Sequence, residues 1–221
     1  MYVSILEAAM KAKAQGANLR HIIYSSSSEC QRRDHMVPHW ETSWHTEQHL
    51  KQLSEDQDVN IHFVRYAHCN ENLLAFYAPS KSGWMAFPWD VSVSVHTASV
   101  QDGARVVCKL FLDPKIMPNG DSIDIVTDFA SPEEMAKAVS KVQGRQVQAF
   151  KGPWILLNVV SRLVFEPNSI VRMGEYIEQN WSRDFLQDTN KIHELLKDEV
   201  EKGEPLESLS SFCERCFTKV V

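Results

Sequence analysis

Early in the sequence, serine and histidine side chains that can carry out proton transfer follow a short apolar stretch. A run of four serines at 25–28 comes directly after the strand-like residues 21–24, and His39 lies further along. Imidazole can take or give a proton near neutral pH, and a serine hydroxyl can donate a hydrogen bond to a ligand carbonyl. We therefore predict Ser25, Ser26 and His39 as catalytic residues, with loop hydrogen bonding and turn capping as the structural alternatives.

The other histidines of this region pose the question of a metal site. His45 and His49 are four positions apart on a predicted helix, a spacing that can serve a metal ion. Pro38 pushes the residue before it out of the helical region, so no helix runs from His35 to His39. We expect solvent-exposed or core histidines here, and no metal ligands.

Tryptophans flank the same region and indicate what kind of ligand it would hold. Trp40 follows His39 directly. Trp84 and Trp89 lie in an aromatic-rich segment, and His96 ends an alternating valine and serine pattern. Aromatic walls suit a planar or polycyclic apolar ligand. Ordinary core packing is the alternative explanation.

An αβ order would position these side chains. The pattern predicts a helix over 4–15, strands over 20–24 and 59–66, and between the strands a helix from a Ser43 cap to Leu53. A helix that precedes a buried strand is typical of parallel sheets. A strand that ends in small hydroxyl residues, with a helix returning behind it, forms a ligand crevice at the carboxyl edge of such a sheet.

Later segments mix strands and helices. Residues 91–96 and 122–129 have strand patterns, and Ser131 opens a capping box with proline at the first helical position. The Asp-Gly pair within 100–112 permits either a hairpin turn or a helix. From Trp154 onward helical spacing dominates.

The composition is that of a globular protein. The 221 residues are 43% hydrophobic and 24% charged, enough to bury a core. With a net charge of -6 and no basic stripe, we expect no nucleic-acid partner. Scattered cysteines, no signal peptide and no long apolar segment predict a cytoplasmic protein with reduced thiols and no membrane contact.

Four segments, taken in order, resemble one protein family. They are Tyr24-Ser25-Ser26 at a strand end, Pro38-His39-Trp40 at a helix start, Arg65 at a strand end, and Glu71-Asn72-Leu73. This order is similar to that of NmrA-like proteins, which are atypical short-chain dehydrogenases/reductases. Residues 100–104, Val-Gln-Asp-Gly-Ala, resemble the start of a family helix and favour a helix over 100–112.

The resemblance implies an α/β fold with a truncated Rossmann-like parallel sheet and a C-terminal helical portion. We expect a single domain over 1–221, with about residues 1–80 as the remnant of the sheet and about 81–221 as the helix-rich, substrate-binding portion. The family's Gly-rich turn, which holds a dinucleotide pyrophosphate at a helix N-terminus, has no counterpart in the sequence. Ser43 also stands where the family usually has a lysine of the reductase site. Both departures imply that no cofactor is used.

Loss of the front strands would place residues 20–24 at the edge of the sheet. Unpaired backbone groups and apolar surface would then be exposed. We therefore expect a homodimer, or a partner chain, to cover this edge.

The resulting prediction is a cofactor-independent enzyme that carries out a non-redox step, such as isomerisation, cyclisation or dehydration, on a small apolar metabolite. A non-catalytic NmrA-like regulator acting through protein contacts is one alternative. A degenerate NAD(P)-dependent reductase, whose missing half another polypeptide supplies, is the other. The predicted substrate-binding residues are Tyr24, Trp40, Ser43, Arg65, Trp84, Trp89 and His96.

Overall fold

The computed structural model of the chain describes residues 2–31, 37–57, 59–153, 169–181 and 190–217. The helices are α1 Tyr2–Ala14, α2 Pro38–Gln57, α3 Val100–Leu112, α4 Pro132–Gln143, α5 Ser169–Asn180, α6 Lys191–Leu195, α7 Lys197–Glu201 and α8 Leu209–Cys216. The strands are β1 His21–Ser27, β2 Asn60–Tyr66, β3 His68–Cys69, β4 Trp84–Phe87, β5 Val95–Ala98, β6 Ser122–Ile125, β7 Asp128–Ala130 and β8 Gln148–Lys151. The 3-10 turns Ser28–Gln31 and Asn70–Leu74 follow β1 and β3.

Strands β1, β2 and β6 form a parallel sheet with β2 in the centre. The side chains of β2 are buried on both faces, as expected for a central parallel strand. Phe63 packs on one face with Leu50 of α2. Val64 packs on the other face with Val106 of α3. The predicted α/β class is confirmed.

Strand β1 is an edge strand in the described part of the chain, because β2 is its only neighbour there. Its first four residues are half-buried, whereas the side chains of β2 are mostly buried. The expectation that a second copy or another chain covers this edge stays a prediction.

Two boundaries around the serine run differ from the predicted ones. The strand does not end at Tyr24, because Ser25–Ser27 pair in register with Val64–Tyr66 of β2. Backbone pairing here overrides the weak strand preference of serine. Helix α2 begins at Pro38 and not after Ser43. Proline at the first helical position already has the helical φ angle and lacks an N–H that the helix would leave unpaired.

The strand predicted over 91–96 is wrong for most of its length. Strand β5 begins only at Val95, and turns precede it. The Asp90 carboxylate accepts hydrogen bonds from the N–H and the hydroxyl of Ser92, a local arrangement that competes with strand pairing. The strand predicted over 122–129 is divided, because β6 and β7 belong to different sheets.

Helices α3 and α4 begin with the expected signals. Ser99 caps α3 by accepting a hydrogen bond from the N–H of Gln101, and the helix over 100–112 is confirmed. Ser131 and Glu134 form the reciprocal capping box of α4, which ends at Gly144 with a φ of 67°.

The chain after residue 80 adds strands as well as helices. Strands β3, β5 and β7 form a mixed sheet, and β4 pairs in parallel with β8. A second core beside these strands buries Phe87 and Trp89 with Met135 of α4 and Phe212 of α8. Among the described helices, none combines the length and apolar character needed to cross a membrane.

Helix α5 approaches the segment between β4 and β5 closely at Gly174. A Cβ atom added there would overlap the carbonyl oxygen of Pro88. We predict that Gly174→Ala lowers the free energy of unfolding by about 1–3 kcal/mol, the usual range for overpacking. Urea denaturation followed by circular dichroism measures this. The control Glu175→Ala, exposed on the same helix, should change stability by less than about 0.5 kcal/mol. Equal stability of the two variants would contradict the close approach.

Candidate functional site

A cavity of about 430 Å³ lies at the carboxyl ends of β1 and β2. Helices α2 and α5, strands β3, β4 and β5, and the segment that follows β3 contribute further described residues of its wall. This volume is within the range of small-molecule sites. The large apolar residues of the wall are Trp40, Phe76, Ile170, Met173, Ile177 and Trp181.

Polar but uncharged side chains interrupt this apolar wall. They include Ser26, Ser27, His39, Tyr66, His68 and Tyr77. Among the described lining residues there is no Asp, Glu, Lys or Arg. A neutral ligand suits such a cavity, because a charged one would lose its hydration without gaining an opposite charge.

His39 lies in the first turn of α2 and is held by the first residue of α5. Its Nδ1 lies 2.7 Å from Oγ of Ser169, which is only 1% exposed. Its ring makes an edge contact with Trp40 at 5.4 Å between centroids. Burial lowers the pKa of His39 to about 4. The ring is therefore neutral at physiological pH, and it can accept a proton or a hydrogen bond within the cavity.

His68 also lines the cavity, and the sequence analysis missed it. Its ring stacks on Tyr77 and meets Trp89 edge-on, with centroid distances of 5.3 Å in both cases. Burial lowers its pKa to about 4. Its Nε2 is buried without a hydrogen-bond partner in the described part of the chain. The available signal was that His68 lies two residues after the end of β2, at the carboxyl edge of the sheet.

Two tyrosines add phenol groups to the lining. Tyr77 stacks on Phe87 at 4.6 Å, and burial raises its pKa above the ordinary value. Burial also raises the pKa of Tyr66, and the nearby Cys69 and Glu71 add to this effect. Both phenols therefore keep their protons at neutral pH and can donate hydrogen bonds.

His68, Asn70 and Thr97 form a group that we name the polar corner. Thr97 is the register partner of His68 in the β3–β5 pair. The hydroxyl of Thr97 and the side-chain amide of Asn70 are buried without partners among the described residues, as is Nε2 of His68. An unsatisfied buried polar group typically costs about 1–3 kcal/mol. Of the three residues, only His68 is in the described lining of the cavity, so it is the one that a bound molecule can contact.

Three predicted residues, Ser26, His39 and Trp40, lie together in the lining. Two neighbours of Ser26 on β1 lie outside it. Ser25 is exposed, and the Tyr24 ring meets Phe63 at 6.4 Å.

The other predicted aromatic residues also lie outside the described lining. Trp84 is 47% exposed and contacts Phe150. Trp89 is fully buried behind the His68 and Tyr77 rings. His96 is buried, and its ring lies 4.8 Å from Phe129 and 6.1 Å from Trp181.

Arg65, predicted to contact substrate, is instead buried in an ion pair with Glu47 of α2. Its Nε donates to Oε1 of Glu47 at 2.9 Å, and its Nη2 donates to Oε2. Burial would raise the pKa of Glu47, but the hydrogen bonds and charge of Arg65 hold it below the ordinary value. The thiol of Cys30 donates to the same carboxylate at 3.2 Å. Burial and the charge of Glu47 raise the Cys30 pKa to about 12, so the thiol is unreactive.

The remaining candidate site residues either form a hydrogen bond within their own helix or are exposed. The hydroxyl of Ser43 donates to the carbonyl oxygen of His39 at 3.1 Å, one turn earlier in α2. His45 and His49 are both exposed. Within the described ranges, no group of three or more histidine, cysteine or carboxylate residues is arranged to hold a metal ion.

A parallel sheet with covering helices and a crevice at its carboxyl edge defines the Rossmann-like class of α/β proteins. The chain belongs to the NmrA-like family, whose sequence profile matches residues 4–202. A search of curated protein sequences found no match.

Several solved structures have a similar fold. NmrA, a negative transcriptional regulator, in complex with NADP has 18% identity and a TM-score of 0.63, over 94% of this chain and 67% of its own. A Staphylococcus aureus nucleoside-diphosphate-sugar epimerase has 15% identity and a TM-score of 0.67, over 91% and 67%. An NADPH-dependent quinone oxidoreductase from Escherichia coli has 17% identity and a TM-score of 0.65, over 91% and 69%. At these identities the likeness concerns the fold.

The family implies a dinucleotide, but the residues of this chain do not fit the usual pyrophosphate site. Its eight glycines form neither G-x-G-x-x-G nor G-x-x-G-x-x-G.

The buried ion pair gives a stability prediction. Glu47→Gln leaves the Arg65 guanidinium buried without its counter-charge, which typically costs about 3–5 kcal/mol. We expect a loss of that size in urea denaturation. Glu41→Gln is the matched control, because Glu41 lies exposed on the same helix. A loss below about 1 kcal/mol in Glu47→Gln would show that the pair is not held as described.

The two neutral histidines predict a pH dependence of stability. His39 and His68 have folded-state pKa values of about 4, below the ordinary 6.5. Between these values the unfolded chain binds more protons, so the free energy of unfolding should fall as the pH is lowered from about 6.5 to about 4. Urea denaturation across this range should show a shallower fall in His68→Phe than in the parent. His45→Gln, a change on the exposed face of α2, is the comparison. An unchanged slope in His68→Phe would contradict the buried neutral state of this ring.

Proposed function

We propose that the chain binds a neutral apolar metabolite in the cavity and catalyses a non-redox step on it, of the isomerisation, cyclisation or dehydration type. The observation that carries this proposal is an uncharged, largely apolar cavity with the neutral His39 ring in its wall. Positioning and proton transfer can supply such chemistry without a redox cofactor.

His39 is suited to move a proton between two positions of a bound molecule. Its Nδ1 is engaged by Ser169 at 2.7 Å. If the other ring nitrogen takes a proton from the ligand, Nδ1–H can still donate to the serine oxygen, so the ring keeps its position in both protonation states. Return of that proton to another ligand atom completes an isomerisation with no net change in composition. With a pKa of about 4 the ring is a weak base, so it binds the proton only transiently and returns it to the ligand.

Ser26 has a supporting role in this proposal. It is 8% exposed at the end of β1, and its hydroxyl lies 3.5 Å from the Cys30 thiol. Its proton is directed to the Cys30 and Glu47 side chains, and its oxygen can accept a hydrogen bond from a hydroxyl group of the ligand. The Escherichia coli structure with a similar fold is described as a quinone oxidoreductase, and quinones are flat ring compounds. This supports a flat apolar ligand for a cavity with Trp40 and Trp181 in its wall.

A regulator acting through protein contacts is the second candidate. Phe111 and Leu112 at the end of α3 are 65% and 87% exposed. Adjacent exposed apolar side chains of this size are typical of protein-contact surfaces. NmrA itself is described as a negative transcriptional regulator.

Turnover without a dinucleotide tests the proposal. The purified chain is incubated with a neutral apolar metabolite extract in deuterated water, without NAD(P), and the products are followed by mass spectrometry. We expect isomers carrying solvent deuterium, or products that have lost water. His39→Ala should lower the rate at least about 100-fold, whereas His45→Ala, on the exposed face of the same helix, should not.

Two results would overturn this proposal. Micromolar binding of NADPH, with products formed only in its presence, would identify a reductase. Equal rates in His39→Ala and the parent chain would remove His39 from the chemistry. An absence of any turnover, together with folded protein, would favour the regulator.

A further inference from the structure

His68 lies where the apolar lining of the cavity meets the polar corner. Its ring is held between two aromatic neighbours, Tyr77 and Trp89, at 5.3 Å each. Trp89 is fully buried and Tyr77 is 9% exposed. The ring therefore cannot turn without displacing core side chains, and its direction is set before a ligand arrives.

The two nitrogens of this ring have different surroundings. Nε2 is buried, and no described residue forms a hydrogen bond with it. A buried N–H without a partner is rarer in proteins than a buried acceptor without one. The ring proton therefore belongs on Nδ1, and the neutral ring presents Nδ1–H as a donor. The side chain is only half-buried and lines the cavity, so its accessible part faces the ligand space.

The rest of the polar corner does not supply an acceptor for this donor. Thr97 lies opposite His68 in the strand pair, but its hydroxyl is itself buried and unpartnered among the described residues. The side-chain amide of Asn70 is also buried without a hydrogen-bond partner among the described residues. Asn70 and Thr97 also lie outside the described lining, so we assign the acceptor for Nδ1–H of His68 to a molecule in the cavity.

We propose that the cavity recognises a neutral, flat carbonyl compound whose carbonyl oxygen accepts a hydrogen bond from Nδ1–H of His68. Its ring system would pack against Trp40 and Met173, two large apolar residues of the described lining. The described lining has no cation to receive a carboxylate or a phosphate, which favours a neutral compound. This inference rests on the proposed function and names its substrate class.

The hydrogen bond also has a chemical consequence. When a proton leaves the carbon next to a carbonyl group, negative charge develops on the carbonyl oxygen. A donor fixed at that oxygen stabilises the charge. His68 would stabilise the oxygen while His39 takes the proton from one carbon and returns it to another, which moves a double bond without oxidation or reduction.

A matched pair of probes tests this recognition. α-Tetralone and tetralin have nearly the same two-ring shape and differ by one carbonyl group. Isothermal titration calorimetry of the full chain should give an affinity for α-tetralone about five- to tenfold above that for tetralin, the effect of one hydrogen bond. His68→Phe keeps an aromatic ring between Tyr77 and Trp89. It should bring the affinity ratio to about one and leave the tetralin affinity within about twofold. His45→Phe, on the exposed face of α2, should keep the parent ratio.

The outcomes separate this inference from the proposed function. Equal affinity of the parent chain for both probes would overturn the role of His68 but leave an apolar cavity with the proposed function. Binding of neither probe would overturn both. If His68→Phe does not fold, His68→Gln retains an N–H donor and should keep a preference for the ketone. Loss of that preference in a folded His68→Gln would count against the proposed hydrogen bond.

Discussion

The ion pair between Arg65 and Glu47 fixes the relation between the parallel sheet and the helix that carries the site. Arg65 is the penultimate residue of the central strand β2, and Glu47 lies in the middle of α2. The Glu47 carboxylate also accepts a hydrogen bond from the thiol of Cys30, just beyond β1. Arg65 donates a further hydrogen bond to the hydroxyl of Ser122 in β6 at 2.8 Å. A buried pair of this kind tolerates little change in geometry, because a displaced charge is left without hydration or partner. The rotation of α2 about its axis is thereby set, and so is the direction of its first turn.

The ion pair between Arg65 and Glu47 positions the first turn of α2. His39 and Trp40 line the cavity from there, and the hydroxyl of Ser169 at the start of α5 holds the His39 ring. His68 enters from the two-residue strand β3, fixed by aromatic contacts and not by a hydrogen bond. The cavity thus contains two neutral imidazoles supported in different ways. One has a polar partner within the protein, and the other has buried polar neighbours that lack partners.

Local sequence signals predicted the elements whose ends have recognisable capping residues. The capping box at Ser131 and the glycine at 144 place α4 closely, and the αβ order gives the parallel sheet. Boundaries that depend on long-range pairing were not predictable locally. Strand β1 extends through Ser27 only because β2 lies beside it in register.

The site was predictable to the extent that it lies in a recognisable motif. Ser26, His39 and Trp40 belong to such segments and reach the cavity. Arg65 also belongs to a recognisable segment, but its partner Glu47 lies 18 residues earlier in the chain. The burial of Arg65 in this ion pair could therefore not be predicted from the sequence. His68 has no periodic pattern around it, and its importance arises from burial and missing partners, which only the folded chain defines.

The uncharged character of the described cavity lining determines how ligand binding depends on salt. Electrolytes act on proteins mainly by screening charges, and screening needs a charge on at least one side of the interface. A neutral molecule that enters the cavity meets no carboxylate, ammonium or guanidinium group among the described lining residues, so there is no charge pair to screen. Occupancy would then follow the concentration of the metabolite and remain indifferent to the ionic strength around it.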